Sequence, residues 1–237
     1  SMALDVYVGS LARYYAGDWE SVGERSARER GVGYEVGGPR DAGDRRKEAE
    51  RIRPAVLAWR TALGRSLGDN IAVPLDWDES VGAPYFTGRP GWDGFGSLVL
   101  WAAYSEHPLL RLPVSLPEEW DDDAALVRSN AEGFRSRYSH LVRNVELWLP
   151  CSFPFTFEGD DVDGRRIVVG SSTLLRRQLA DLNAATWKVG DAEAADWSRR
   201  PPGADTPLEL RARYAFAVLV DLAQKALDHR LPMKLDY

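Results

Sequence analysis

Val145-Glu146-Leu147-Trp148-Leu149, Phe153-Pro154-Phe155-Thr156-Phe157 and Ile167-Val168-Val169 are the runs that decide the fold. In the first two, apolar residues recur at every second position, the spacing that sends alternate side chains to opposite faces of a strand. Asp163-Gly164 ahead of the third run is a turn signal. Together they predict two or three antiparallel strands. At the start of the chain Leu4, Val6 and Val8 alternate with Asp5, Tyr7 and Gly9, which predicts a further strand completing the same sheet.

Helical patterns fill most of the remainder. Ser10 is placed to cap a helical stretch over 11–30 that Gly17 and Gly23 interrupt. The glycines of 31–43 predict a loop, with a brief strand at 34–36. A charged run over 44–53 leads to Pro54, a residue suited to a first helical turn. Val56, Trp59, Leu63 and Leu67 follow at helical spacing, so a kinked or split helix is expected. Residues 69–90 read as a long irregular loop. Asp93 is placed to cap a helix that is apolar nearly all round and ends at His107-Pro108. A short helix with an acidic start is expected over 118–128. Ser171 or Ser172 caps a helix whose Leu175, Leu179 and Leu182 share one stripe. Residues 188–205 read as a polar surface loop. Thr206-Pro207-Leu208-Glu209 has the pattern of a capping box with proline at the first helical position. The long helix expected after it buries Phe216, Leu219, Val220, Ala223, Ala226 and Leu227, pairs Asp221 with Lys225, and stops at Pro232.

The strands cluster instead of alternating with helices, so the expected class is α+β. The expected architecture is a single compact domain over 1–237, with a small, mostly antiparallel sheet packed by several helices, the long C-terminal helix among them.

Composition narrows the chemistry. A chain of 237 residues, 44% hydrophobic, buries roughly 70% of its unfolded surface without help from disulfides or metals. Cys151 is the single cysteine, so no intramolecular disulfide forms, in keeping with a reducing compartment. No apolar run approaches bilayer length and no leader pattern is apparent, so the expectation is a cytoplasmic chain with no membrane contact. A net charge of −6 argues against nucleic acid as a partner. Of the basic residues only Lys47, Lys188, Lys225 and Lys234 are lysine, and this arginine bias suggests a bacterial, GC-rich gene.

Catalytic motifs fail one by one. His107, His140 and His229 lie far apart without metal-ligand spacing. With Gly164 set at the invariant glycine of a calcium loop, Asp161 and Asp163 fall correctly but Gly159 and Gly170 occupy the first and last ligand positions. A hairpin turn accounts for that acidic run. Cys151 with His140 is the one thiol–imidazole pairing, Ser171 and Ser172 lack a nucleophile elbow, and the clusters Gly91–Gly96 and Gly31–Gly33 do not match phosphate-binding patterns. Ser171-Ser172-Thr173 lacks the acidic motif that would complete a transferase set. The carboxylates of Asp93, Glu118, Asp121, Asp122, Asp123 and Glu146 do not reduce to one pair. No catalytic residue, metal or cofactor is therefore assigned.

Aromatic residues among charges remain. Trp77 sits among Asp76, Asp78 and Glu79, Trp120 lies between Glu119 and Asp121, and Tyr85 and Trp92 share the irregular region. Arg13-Tyr14-Tyr15 adds an arginine beside two phenols. Such rings either form an interaction surface or anchor loops onto the core.

The opening residues 3–15, with Val145-Glu146-Leu147-Trp148-Leu149-Pro150 and Val169-Gly170-Ser171-Ser172, resemble an uncharacterised family of bacterial proteins of similar length, a likeness that carries no activity. The strand, proline, strand, Gly-Ser-Ser, leucine-rich helix succession is also similar in style to polymorphic-toxin immunity proteins. That second resemblance implies a non-catalytic cytoplasmic inhibitor whose loops 76–92 and 118–123, with Trp77, Tyr85, Trp92 and Trp120, contact a basic protein partner. The alternative is an enzyme or small-ligand binder with a pocket lined by Arg13, Tyr14, Tyr15, Trp92 and Tyr104. A concave cavity with converging titratable groups favours the pocket, and a flat surface favours the partner.

Overall fold

The computed structural model describes residues 3–31 and 42–237; the expected loop over 31–43 and its brief strand at 34–36 lie almost wholly outside the described residues. The N-terminal alternation forms β1 (Asp5–Val8). Ser10 then caps α1 (Leu11–Ala16), its hydroxyl accepting from the Arg13 amide. Gly17 closes that helix in the left-handed region, with φ 69°, where a residue without Cβ is unstrained. The chain restarts as α2 (Val22–Glu29), capped by Ser21. Gly23 lies inside α2 and breaks nothing.

The long helix α3 (Ala42–Leu67) continues through Pro54, so of the kinked or split helix expected the split does not occur. Pro54 is exposed, so the carbonyl one turn back that loses its donor faces water. Within the irregular region lies β2 (Phe86–Gly88). Helix α4 (Trp92–Glu106) is capped by Gly91 instead of Asp93, which lies in its first turn, and is buried on most sides. Trp120 packs so closely on it that a Cβ at Gly96 would stand 2.4 Å from the indole. Asp123 caps α5 (Ala124–Ser129), and α6 (Ser139–Val142) precedes the strand region.

That region gives β3 (Val145–Leu149), β4 (Phe157–Asp160) and β5 (Arg166–Ser171); of the strand expected over 153–157 only Phe157 is in a strand, and Phe153 and Phe155 pack in the core from the connection before it. Ser171 caps α7 (Ser172–Ala185), accepting from the Leu174 amide. The expected loop over 188–205 contains α8 (Asp191–Asp196), and Trp187 and Trp197 pack there on Phe216. The capping box does not form: Thr206 Oγ1 accepts from Gly203 N at 2.8 Å, and Pro207 is the extended residue before α9 (Leu208–His229). Asp221 and Lys225 pair at 2.9 Å on its surface. After Arg230 the chain enters β6 (Met233–Asp236).

One sheet results, in the order β2-β1-β6-β3-β5-β4. It is mixed, a correction to the mostly antiparallel sheet expected. β5 returns between β3 and β4, parallel to β3 and antiparallel to β4, because the 150–156 connection is long enough to carry β4 one position outward. β6 joins the two halves, antiparallel to both β1 and β3. Helices cover both faces. Leu4, Val6, Val8, Trp148 and Met233 pack with α4, α7 and α9, whereas Leu147, Leu149, Ile167 and Val169 pack with α1 and α3. Among the described residues, no helix is long and apolar enough to cross a membrane.

Candidate functional site

The second face is not covered to its end. Where α1 and the β4–β5 hairpin part, a cleft of about 440 Å³ opens over β6. Its near wall is set by α1, whose first amides are held by a buried carboxylate. Leu11 N and Ala12 N donate to Glu79 at 2.7 and 2.8 Å, and Trp77 Nε1 donates to the same group at 2.8 Å. Three donors at the positive end of a helix compensate this buried charge, although burial still pushes the Glu79 pKa upward.

Successive residues of α1 then diverge, as helix geometry requires. Arg13 turns away from the cleft, donating to Asp18 and to the Ala83 carbonyl and lying 4.7 Å from the Tyr85 ring centroid. Tyr14 reaches over β6, its hydroxyl donating to Asp236 Oδ1 at 2.7 Å. Tyr15 lines the cleft on the hairpin side. The turn at Gly17 brings Trp19 back, stacked on Tyr14 at 5.6 Å between centroids with its Nε1 donating to the Tyr14 carbonyl. Burial raises the pKa of both Tyr14 and Tyr15, and carboxylates add to the rise, Asp236 for Tyr14 and Asp161 for Tyr15.

Lys234 and Asp236, two residues apart on β6, form the floor. Lys234 is 4% exposed. Its Nζ stands 4.9 Å from the Tyr14 ring centroid and makes one long contact of 3.4 Å to the Leu235 carbonyl. No carboxylate lies within 4.0 Å of it among the described residues. Burial lowers its pKa despite the more distant Glu146, Asp161 and Asp236.

The far wall is engaged internally. Arg165 pairs with Glu146 at 2.5 Å, Tyr237 donates to Glu146, and Asp161 accepts from the amides of Asp163 and Arg165 at 3.0 and 2.8 Å. At the rim stands Glu24, which follows Ser21 at capping-box spacing. Ser21 Oγ accepts from Glu24 N at 3.1 Å, but the Glu24 carboxylate makes no return bond to Ser21 N and no ion pair among the described residues.

Two other cavities show the contrast. One of about 630 Å³ holds Trp92 and Arg211, yet Arg211 donates to the carbonyls of Gly203, Ala204 and Thr206. Another of about 500 Å³ lies between α7, α8 and α9, where Arg176 contacts Gln224 and Asn183 binds Val189. Neither has an uncompensated buried charge among the groups named.

The structure thus brings Tyr14 and Tyr15 together and separates the rest of the sequence-derived set. Trp77 and Trp120 are 3% and 4% exposed, so their rings hold the interior and offer no contact surface, which corrects their expected role. Tyr85 accepts from Glu20 N and lies under Arg13. Trp92 packs on Trp120 at 4.8 Å, and Tyr104 donates to Asp123 at 2.9 Å, so the pocket expected from Arg13, Tyr14, Tyr15, Trp92 and Tyr104 does not assemble. Cys151 is half-buried, and desolvation raises its pKa to about 11. His140 Nδ1 accepts from Ser171 N at 2.9 Å, so neither group is poised for nucleophilic work. Among the described residues no group of three or more His, Cys, Asp or Glu converges as a metal-ligand set.

Sequence reasoning missed Lys234, Asp236, Trp19 and Glu24. The alternation in Met233-Lys234-Leu235-Asp236 after Pro232, and Ser21-Val22-Gly23-Glu24, were the available signals. Searches of protein-family models, curated proteins and solved structures return no match to this chain.

Proposed function

We propose that this chain is a small-ligand-binding protein whose cleft between α1 and the β4–β5 hairpin receives a molecule bearing a carboxylate or similar acceptor group. The observation that carries the reading is Lys234: a buried ammonium at the floor of an open cleft, without a carboxylate in contact. Taking such a charge from water costs several kcal/mol in general, and a ligand acceptor within reach of its free donors offsets that cost. The phenols and indole of Tyr14, Tyr15 and Trp19 supply a flat amphipathic wall of the kind small-molecule sites use. The cleft volume, about 440 Å³, suits a molecule of metabolite size.

Ligand-observed NMR with a panel of small aliphatic and aromatic carboxylates, run on the native chain and on Lys234→Met, tests this. Binding by a subset of the panel, weakened at least about tenfold in the variant, is the expected result. The reading is overturned if no carboxylate binds at millimolar concentration, or if the variant binds the same compounds equally well.

A further inference from the structure

We infer that the ligand is a zwitterion of the α-amino-acid class with a flat side chain, its carboxylate on Lys234 and its ammonium at the rim on Glu24. The inference rests on the small-ligand reading above and adds a second charge to it.

The charges lining the cleft fall into two groups. Arg165 is engaged by Glu146, Asp161 accepts from two amides of its own hairpin, and one oxygen of Asp236 accepts from Tyr14. Arg165 and Asp161 are thus engaged within the chain, and Asp236 through one of its two oxygens. What is left is one cation at the floor, Lys234, and two carboxylates that line the same cleft without a side-chain hydrogen bond or ion pair among the described residues, Glu24 and Asp163. Glu24 is the more telling of the two. It occupies the third position after a serine cap, where a glutamate ordinarily bends back to the cap amide. Here only half of that box forms, with Ser21 Oγ accepting from Glu24 N, and the glutamate side chain borders the cleft instead.

A ligand that is only anionic satisfies Lys234 but meets uncompensated carboxylates on its way in. One that is only cationic pairs with the rim and leaves the buried ammonium as it was. A molecule carrying both charges complements the two groups that line the one cleft, and each group repels the ligand charge that the other attracts, which rejects the two single-charge alternatives. Between those ends, the Tyr14, Tyr15 and Trp19 rings favour a planar side chain over a branched one.

Calorimetry with three molecules of one skeleton separates the cases: L-tyrosine carries both charges, 3-(4-hydroxyphenyl)propionate only the carboxylate, and tyramine only the ammonium. The expected result is L-tyrosine binding at least about tenfold tighter than either analogue, with Glu24→Gln removing that advantage by weakening L-tyrosine while the propionate binds as well or more tightly. Equal affinity of L-tyrosine and the propionate overturns the zwitterion while the small-ligand reading stands. If tyramine binds as well as L-tyrosine, the role of Lys234 fails and both readings fall. If none of the three binds but other carboxylates bind in a Lys234-dependent way, the amino-acid class is overturned alone.

Discussion

Lys234 and His140 are both buried bases, and they are handled in opposite ways. His140 is neutral, with its Nδ1 accepting from Ser171 N, and burial pushes its pKa down from 6.5 to about 4. The folded chain therefore binds fewer protons than the unfolded chain between these values. Stability is complete above about pH 6.5 and declines as pH falls toward 4, by up to about 3 kcal/mol from this residue alone. Chemical denaturation across that range should show His140→Asn losing less stability than the native chain, since an amide oxygen can replace Nδ1 as acceptor; identical slopes contradict the assignment. Lys234, by contrast, keeps a donor group in a cleft. Lys234→Met should leave stability unchanged or raise it by up to about 2 kcal/mol, measured by the same denaturation. Because burial lowers the pKa of Lys234 from 10.5, the gain belongs to pH values below that lowered pKa and vanishes above about 10.5. A marked loss of stability would mean that the ammonium supports the fold instead of a ligand. Tyr14 and Tyr15 were legible as candidates because they adjoin each other in the chain. Lys234 was not, since its burial is created by pairing with Tyr7 and Leu147 from distant strands.

At the scale of elements, α1 is six residues long, too short to persist on its own, and the Glu79 carboxylate secures its start. Glu79→Gln keeps the shape but exchanges an acceptor-only group for one carrying donors opposite three N–H groups. A cost of about 1–3 kcal/mol is expected from the lost charge-assisted bonds, read from thermal unfolding. Ligand affinity should fall in parallel because α1 carries Tyr14 and Tyr15. Unchanged stability would contradict the capping role. Local pattern was enough to find β1, β3, β5, α7 and α9. It overstated the capping box at Thr206, whose hydroxyl binds Gly203, and missed β2 and β6, which are three and four residues long. β1 is as short as β6, but Leu4, Val6 and Val8 give it three alternating apolar residues, whereas Met233-Lys234-Leu235-Asp236 offers two and Phe86-Thr87-Gly88 one.

Across the whole molecule, one sheet serves two hydrophobic clusters, with β3 contributing Trp148 to one and Leu147 to the other. Neither cluster can be lost without exposing the strands of the other, so calorimetric unfolding should give one transition with matching van't Hoff and calorimetric enthalpies. Two separated transitions would contradict that coupling. The α+β class was readable from the clustering of strands, but not the mixed order, because the parallel neighbour of β3 is chosen by where the 150–156 connection travels and not by any local residue. The cleft is a consequence of that order: β6 enters between β1 and β3, and the helices over that face stop short of its end. Since the chain contains four lysines, selective ¹³Cε-lysine labelling gives a spectrum in which Lys234 can be assigned by comparison with Lys234→Met. The Lys234 signal should titrate below the usual lysine value and shift on addition of L-tyrosine; a Lys234 that titrates as an ordinary exposed lysine and that no carboxylate moves would overturn its role as the ligand's anchor.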